Sequence, residues 1–213
     1  MDFKSFADQI PKIKNLPLPG RQAHYKLAPE IRIRELEEGR ILKKNPRKAG
    51  VMALFYPDAA SQTRLLFIMR KSYNGIHARQ VAFPGGKKEK GDVSILDTAL
   101  RETREEVGVI TKHVEVIREV SEVYIPPSNF EVQPFVGLYH HSASFVLQEE
   151  EVEHLIEVPL AQVLDDKYLT SQILSTSYAR NIEVPAFRLE GYTVWGATAM
   201  MLNEIRDLIK KVL

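Results

Sequence analysis

The chain has 213 residues, 44% hydrophobic and 27% charged, which excludes a disordered polymer and leaves room for one sizeable core. Lysine plus arginine number 29 against 28 acidic residues, so no global field favours nucleic acid or an anionic membrane, and the lack of cysteine excludes disulfides, thiolate metal sites and cysteine nucleophiles. No stretch approaches the roughly 20 apolar residues of a membrane helix, and the N-terminus lacks a secretory apolar core, so a cytoplasmic protein is expected.

Phe3, Phe6, Ile10 and Ile13 recur at helical spacing and predict an opening helix, which Pro17, Pro19 and Gly20 end. From there to Gly50 the chain is charged and weakly patterned. Its basic run of Arg40, Lys43, Lys44, Arg47 and Lys48 reads as a solvated connector or, alternatively, as a face for an anionic substrate. Strands are expected at Val51–Tyr56 and Arg64–Arg70, joined across Pro57 to Ser61 as a hairpin. A long loop then runs from Lys71 to Gly91, followed by a helix from Ile95 to Val107. Further strands are expected at Val114–Val123 and Gln133–Tyr139, with a turn at Pro126–Asn129. Glu149–Leu160 is acidic and then apolar, and Pro159 predicts a short helix over Leu160–Leu164. Val184–Leu189 and Tyr192–Val194 read as a last hairpin, and Ala197–Val212 as a closing helix with one apolar face. This mixture, with no repeat or linker, predicts an α/β (α+β) sandwich in one domain, residues 1–50 forming a lead-in to a body at 51–213.

The chemistry concentrates between Phe83 and Val109. Ser94 and Asp97 make a capping-box-like helix start, and Gly108 stands where a helix commonly ends. At about 100° per residue, Ile95, Leu96, Ala99, Leu100 and Val107 share an arc of about 140°, and Glu102, Glu105 and Glu106 share a neighbouring arc of about 100°. Alone, these glutamates repel one another by a few tenths of a kcal/mol per pair, and a charged helix face is the bland reading. A hard cation such as Mg²⁺ or Mn²⁺ turns that repulsion into a ligand set. The Gly85-Gly86 pair ahead of the helix lets backbone groups approach a metal or phosphate closely.

These residues together resemble the Nudix hydrolase signature, G-x5-E-x7-R-E-U-x-E-E-x-G-U with U aliphatic. Gly86 is followed after five residues by Asp92, and Arg101-Glu102, Glu105-Glu106 and Val107-Gly108-Val109 complete the match. Asp92 stands in place of glutamate, eight residues rather than seven separate it from Arg101, and Thr103 takes an aliphatic position. The expanded spacing, with Phe83-Pro84-Gly85-Gly86 before it and Thr98-Ala99-Leu100-Arg101-Glu102 after it, is similar to the coenzyme A pyrophosphatase branch. Leu66, Arg70, His77 and Gln80-Val81-Ala82 fit that branch's upstream pattern, whereas Lys71, Gly75 and Arg79 depart from it. Glu150-Glu151-Val152, Glu157 to Leu160, and Trp195 to Ala199 extend the resemblance to the C-terminus.

The resemblance implies a Nudix-type αβα sandwich around a mixed β-sheet and a Mg²⁺- or Mn²⁺-dependent pyrophosphohydrolase. It implies Glu102, Glu105 and Glu106 as metal ligands with the Gly86 carbonyl nearby, and Arg101 as the residue that orients Glu102. Either Glu102 or Glu151 is the general base, Glu151 being alternatively an extra ligand. Arg70, His77, Arg79 and Gly85 are the expected substrate contacts. The expected substrate is coenzyme A or acyl-coenzyme A, with ADP-ribose or NADH as the alternative, and a catalytically silent nucleotide-binding domain as the reading of a different class. Nucleic acid and membrane are not expected partners; a homodimer is left open.

Overall fold

Strand β1 (Arg47–Pro57) divides the protein into two cores, because successive side chains leave opposite faces of the sheet. Met52, Leu54 and Tyr56 join Leu66, Ile68, Ala99 and Val107 on one face. Ala53 and Phe55 join Phe6, Ile10, Leu202 and Ile205 on the other. The structure is a computed structural model and describes residues 1–37, 45–71, 80–142, 145–174 and 181–213.

The central sheet comprises β1, β2 (Thr63–Arg70), β3 (Val81–Ala82), β4 (Gly85–Lys87), β5 (Val114–Glu119), β6 (Val123–Ile125), β7 (Phe130–Tyr139) and β8 (Val152–Pro159). It is mixed: β1 runs parallel to β7, and the other pairings are antiparallel. Helices α1 (Phe3–Gln9), α2 (Arg21–Tyr25), α3 (Glu30–Glu37), α4 (Ile95–Val107), α5 (Leu160–Leu164) and α6 (Gly196–Ile209) complete the body with a three-stranded sheet of β9 (Leu169–Leu174), β10 (Ile182–Leu189) and β11 (Tyr192–Trp195). Apolar residues of α4 pack on one face of the central sheet, and those of α1 and α6 on the other. That is the expected αβα sandwich. Among the described residues no helix is long and apolar enough to cross a membrane.

The lead-in is more ordered than its weak pattern suggests. Phe3, Phe6, Ile10 and Ile13 are buried in the main core, and two further helices, α2 and α3, occupy part of the stretch read as charged and weakly patterned. Buried polar contacts hold it there. Glu204 on α6 accepts from the Gly20 amide (3.0 Å) and from the amide and hydroxyl of Ser121, and lies 2.9 Å from His24 Nε2. Asn203 Nδ2 donates to the Ala23 carbonyl. Contacts over about 180 residues of sequence separation leave no periodic trace, which is why they escape sequence reading.

Other differences are local. β1 begins at Arg47 rather than Val51, so Arg47 and Lys48 of the basic run belong to a strand. Arg47 donates to the Ser128 carbonyl and lies 4.0 Å over the Phe130 ring, while Lys48 pairs with Glu131 and Glu122. Both are exposed, as expected of the run, but they belong to a strand rather than a connector; Arg40, Lys43 and Lys44 lie outside the described residues. The expected strand over Val114–Val123 is interrupted into β5 and β6, and β8 and the exposed strand β9 are added.

Candidate active site

Helix α4 is anchored at both ends as its sequence suggests. Ser94 and Asp97 form a reciprocal capping box, and Gly108 closes the helix in the left-handed conformation, φ 75°. Its buried face differs from the expected one. Thr98, Ala99, Thr103, Glu106 and Val107 are buried, while Ile95, Leu96 and Leu100 are partly covered. Thr103 occupies the aliphatic position of the signature without an unpaired hydroxyl, because its Oγ1 donates to the Ala99 carbonyl at 2.6 Å.

Burial of Glu106 sets the character of the site. It is 1% exposed; Gly85 N–H donates to its Oε2 at 2.7 Å and Arg70 Nη2 to its Oε1 at 3.3 Å. Arg70 also donates to the Gly85 carbonyl (3.2 Å), so this arginine is engaged by the site's own framework. Burial pushes the Glu106 carboxyl up to about 7, although Arg70 and the Gly85 amide pull it down. Glu102 one turn earlier is also raised, chiefly by burial, with Arg101 opposing.

Glu151 arrives from a distant part of the chain. The amides of Val146 and Gln148 donate to the carbonyls of Val107 and Glu106, which docks residues 145–152 on the C-terminal end of α4. The Lys71 amide donates to the Glu151 carbonyl at the end of the β2–β8 pairing. One carboxylate oxygen from each of Glu102, Glu106 and Glu151 then lies within 4.8 Å of the others. Beside them, a Cβ on Gly86 would stand 2.4 Å from the Glu102 carboxyl carbon.

Arg101 orders this arrangement. Its Nε and Nη2 grip Asp92 at 2.9 and 3.0 Å, and its Nη1 donates to Glu102 at 3.0 Å and Glu105 at 2.9 Å. Its Nη2 also donates to the Lys87 carbonyl. The Arg101 guanidinium holds the Asp92 carboxyl far below the usual range. The shorter acid at the longer spacing therefore still meets the arginine.

Of the residues singled out from sequence, Glu102, Glu106, Glu151, Arg101, Arg70, Gly85 and Gly86 converge here. Glu105 does not join the three-carboxylate group. Four residues after Arg101, it is half exposed and closes ion pairs with Arg101 and Arg104 instead. His77 and Arg79 lie outside the described residues. Sequence reading met Thr98 only as part of a family pattern and gave it no role, yet it is fully buried beneath Asp92; its signal is a β-branched hydroxyl residue in the first turns of a helix, where helix propensity is modest.

A NUDIX domain model matches residues 46–172, more than half of the chain. The chain belongs to the Nudix family. It is 34% identical over 161 residues to a Nudix hydrolase NudL of Pectobacterium atrosepticum, covering 72% of this chain and 79% of that protein. It is 35% identical over 149 residues to the NudL of Salmonella paratyphi B, covering 68% and 74%. The fold is similar to the Nudix hydrolase RenU of M. smegmatis (TM-score 0.54, 14% identity, 79% of this chain and 88% of that one) and to a MutT protein of Methanosarcina mazei Go1 (0.52, 17%, 80% and 99%). The protein is thus a Nudix pyrophosphohydrolase acting on nucleoside diphosphate derivatives, in a family that uses divalent cations.

The residues suit such a cation. Carboxylate oxygens are the donors that Mg²⁺ and Mn²⁺ prefer, the side-chain-free Gly86 leaves the approach open, and the burial of Glu106 is only partly offset by Arg70 and the Gly85 amide. A cation held here would compete with a proton for Glu106. Mn²⁺ affinity measured by calorimetry is expected to be flat above about pH 7 and to weaken by up to about tenfold per unit below it. Equal affinity at pH 6 and pH 8 would contradict this linkage.

Proposed function

We propose that this enzyme hydrolyses the diphosphate of coenzyme A or acyl-coenzyme A, giving 3′,5′-ADP and 4′-phosphopantetheine or its acyl derivative, with Mg²⁺ or Mn²⁺. The supporting observation is the eight-residue spacing from Asp92 to Arg101 behind Phe83-Pro84-Gly85-Gly86, which resembles the coenzyme A branch. The absence of cysteine suits a reducing, cytoplasmic setting.

In this reading Glu102 and Glu106 hold the cation, with the Gly86 carbonyl nearby and Glu151 beside them as base or, alternatively, as an extra ligand. Bound there, it would neutralise diphosphate oxygens and make water more acidic. Arg101 orients Glu102, and Arg70 with the Gly85 amide keeps the Glu106 carboxylate in place. Glu151, exposed on the docked segment, accepts the proton of the attacking water, with Glu102 as the alternative base. Arg79 and His77, which precede the signature in the sequence, remain the further candidate substrate contacts.

A panel of coenzyme A, acyl-coenzyme A, ADP-ribose and NADH, incubated with enzyme and Mn²⁺, distinguishes the readings by product mass. 3′,5′-ADP is the expected product. Coenzyme A left intact beside cleaved ADP-ribose would overturn the substrate assignment and favour the alternative that the Lys71, Gly75 and Arg79 departures suggest.

A further inference from the structure

We propose that Thr98 is a positioning residue for the hydrolytic site, acting through Asp92 and Arg101 on Glu102. The proposal rests on the metal-carboxylate reading above.

The signature normally places a glutamate opposite the arginine. Here the acid is one methylene shorter, and one additional residue separates it from Arg101. An aspartate on a loop has fewer rotatable bonds but a shorter reach, so its carboxylate must be fixed by its surroundings to meet a fork on the helix. The structure provides two such supports besides the arginine. The Glu89 amide donates to Asp92 Oδ2 at 2.8 Å, and the Thr98 hydroxyl donates to the same oxygen at 2.9 Å, the Ser94 carbonyl at 3.2 Å being the more distant of the two acceptors for its proton. Thr98 is fully buried and stands three residues before Arg101, on the same side of α4. It is the one hydroxyl that reaches this carboxylate among the described contacts.

The consequence passes along the arginine. With Nε and Nη2 committed to Asp92, the remaining Nη1 has a defined direction, and it meets Glu102 at 3.0 Å. Loss of the threonine hydroxyl frees Asp92 to turn, loosens the fork, and lets Glu102 leave the Glu106–Glu151 group. The buried hydroxyl thereby connects the expanded spacing to the carboxylate that holds the cation.

The test compares T98V, which keeps the shape and removes the hydroxyl, with T98S, which keeps the hydroxyl. Mn²⁺ binding is followed by calorimetry without substrate, and kcat/KM and melting temperature are measured alongside. T98V is expected to weaken Mn²⁺ binding and lower kcat/KM, each by about tenfold, the lower end for groups behind metal ligands. T98S is expected to restore both, and T98V added to D92N is expected to cost nothing further, because the two act in one chain. A T98V protein with a lowered melting temperature but unchanged Mn²⁺ binding and kcat/KM would overturn the proposal, as would losses that add fully to those of D92N. Wild-type enzyme that takes up no Mn²⁺ would overturn the metal-carboxylate reading and the proposal with it. Normal uptake by wild type with unaltered uptake by T98V would overturn the proposal alone.

Discussion

Replacing Glu106 with glutamine is expected to lower kcat/KM by at least about a thousandfold while leaving the protein folded. About 4 kcal/mol of transition-state stabilisation corresponds to that factor, a reasonable share for one carboxylate of a metal-assisted site. The stability response should have the opposite sign. Glu106 is buried and its carboxyl is raised to about 7, so the folded state holds the proton more tightly than the unfolded chain does. Its contribution to stability is present below the ordinary glutamate value and is lost as pH rises towards and through about 7. Without metal at pH 8, E106Q removes that penalty, and its melting temperature is expected to match or exceed that of wild type. E105Q provides the contrast. Glu105 is half exposed and paired with Arg101 and Arg104, so a loss of only about tenfold is expected from disturbing Arg101. Equal losses from the two substitutions, read in Mn²⁺ binding and kcat/KM, would refute the assignment of Glu106 as the deeper ligand.

Gly86→Ala is expected to reduce kcat/KM by about a hundredfold with little effect on the fold. A Cβ at this position would lie 2.4 Å from the Glu102 carboxyl carbon and 2.5 and 2.6 Å from its two oxygens. The obstructing atoms are the far end of a flexible side chain, so Glu102 swings aside and the backbone stays. Displacing a reacting-site group by about 1 Å is enough for a loss of that size. The neighbouring glycine behaves differently. Gly85 has φ +145°, and a Cβ there would stand 2.3 Å from the Gly50 carbonyl oxygen and 2.6 Å from Val51 Cα, both backbone atoms of the central strand. G85A is therefore expected to unfold the sheet edge, and G86A to disable a folded enzyme. Circular dichroism melts with Mn²⁺ titrations separate the outcomes; a destabilised G86A with normal Mn²⁺ binding would contradict the displacement of Glu102.

Much of the site was legible because its parts are local. The capping box, the Gly108 terminus and the spacing of Gly86, Arg101 and Glu102 all lie within one loop and one helix, where helical arithmetic applies. The same arithmetic places Glu106 about 20° from Ile95 and about 20° from Ala99, inside the apolar arc, so its burial was available from the wheel. Glu105 falls on the outer side, as its exposure shows. What the wheel does not contain is what stands opposite the helix. The inward neighbours of Glu106 are Arg70 and Gly85, which come from β2 and β4.

The Gly86–Val109 segment and its helix termini, the positions of β1, β2, β7, β10 and β11 along the chain, the lack of thiol chemistry and the family signature follow from sequence by itself, since each is carried by short-range spacing or composition. Tertiary structure decided the rest. Glu151 reaches the helix carboxylates through amide contacts to the carbonyls of Glu106 and Val107, Arg70 becomes the partner of Glu106, and the lead-in is held by a glutamate about 180 residues away. Such contacts depend on which surfaces meet when strands pair and helices pack, and a backbone amide or a buried carboxylate records no partner in the order of residues. Local periodicity fixes which groups a segment presents; long-range packing fixes what they meet, and in this Nudix enzyme that meeting brings Glu151 to the Glu102 and Glu106 carboxylates of a charged helix.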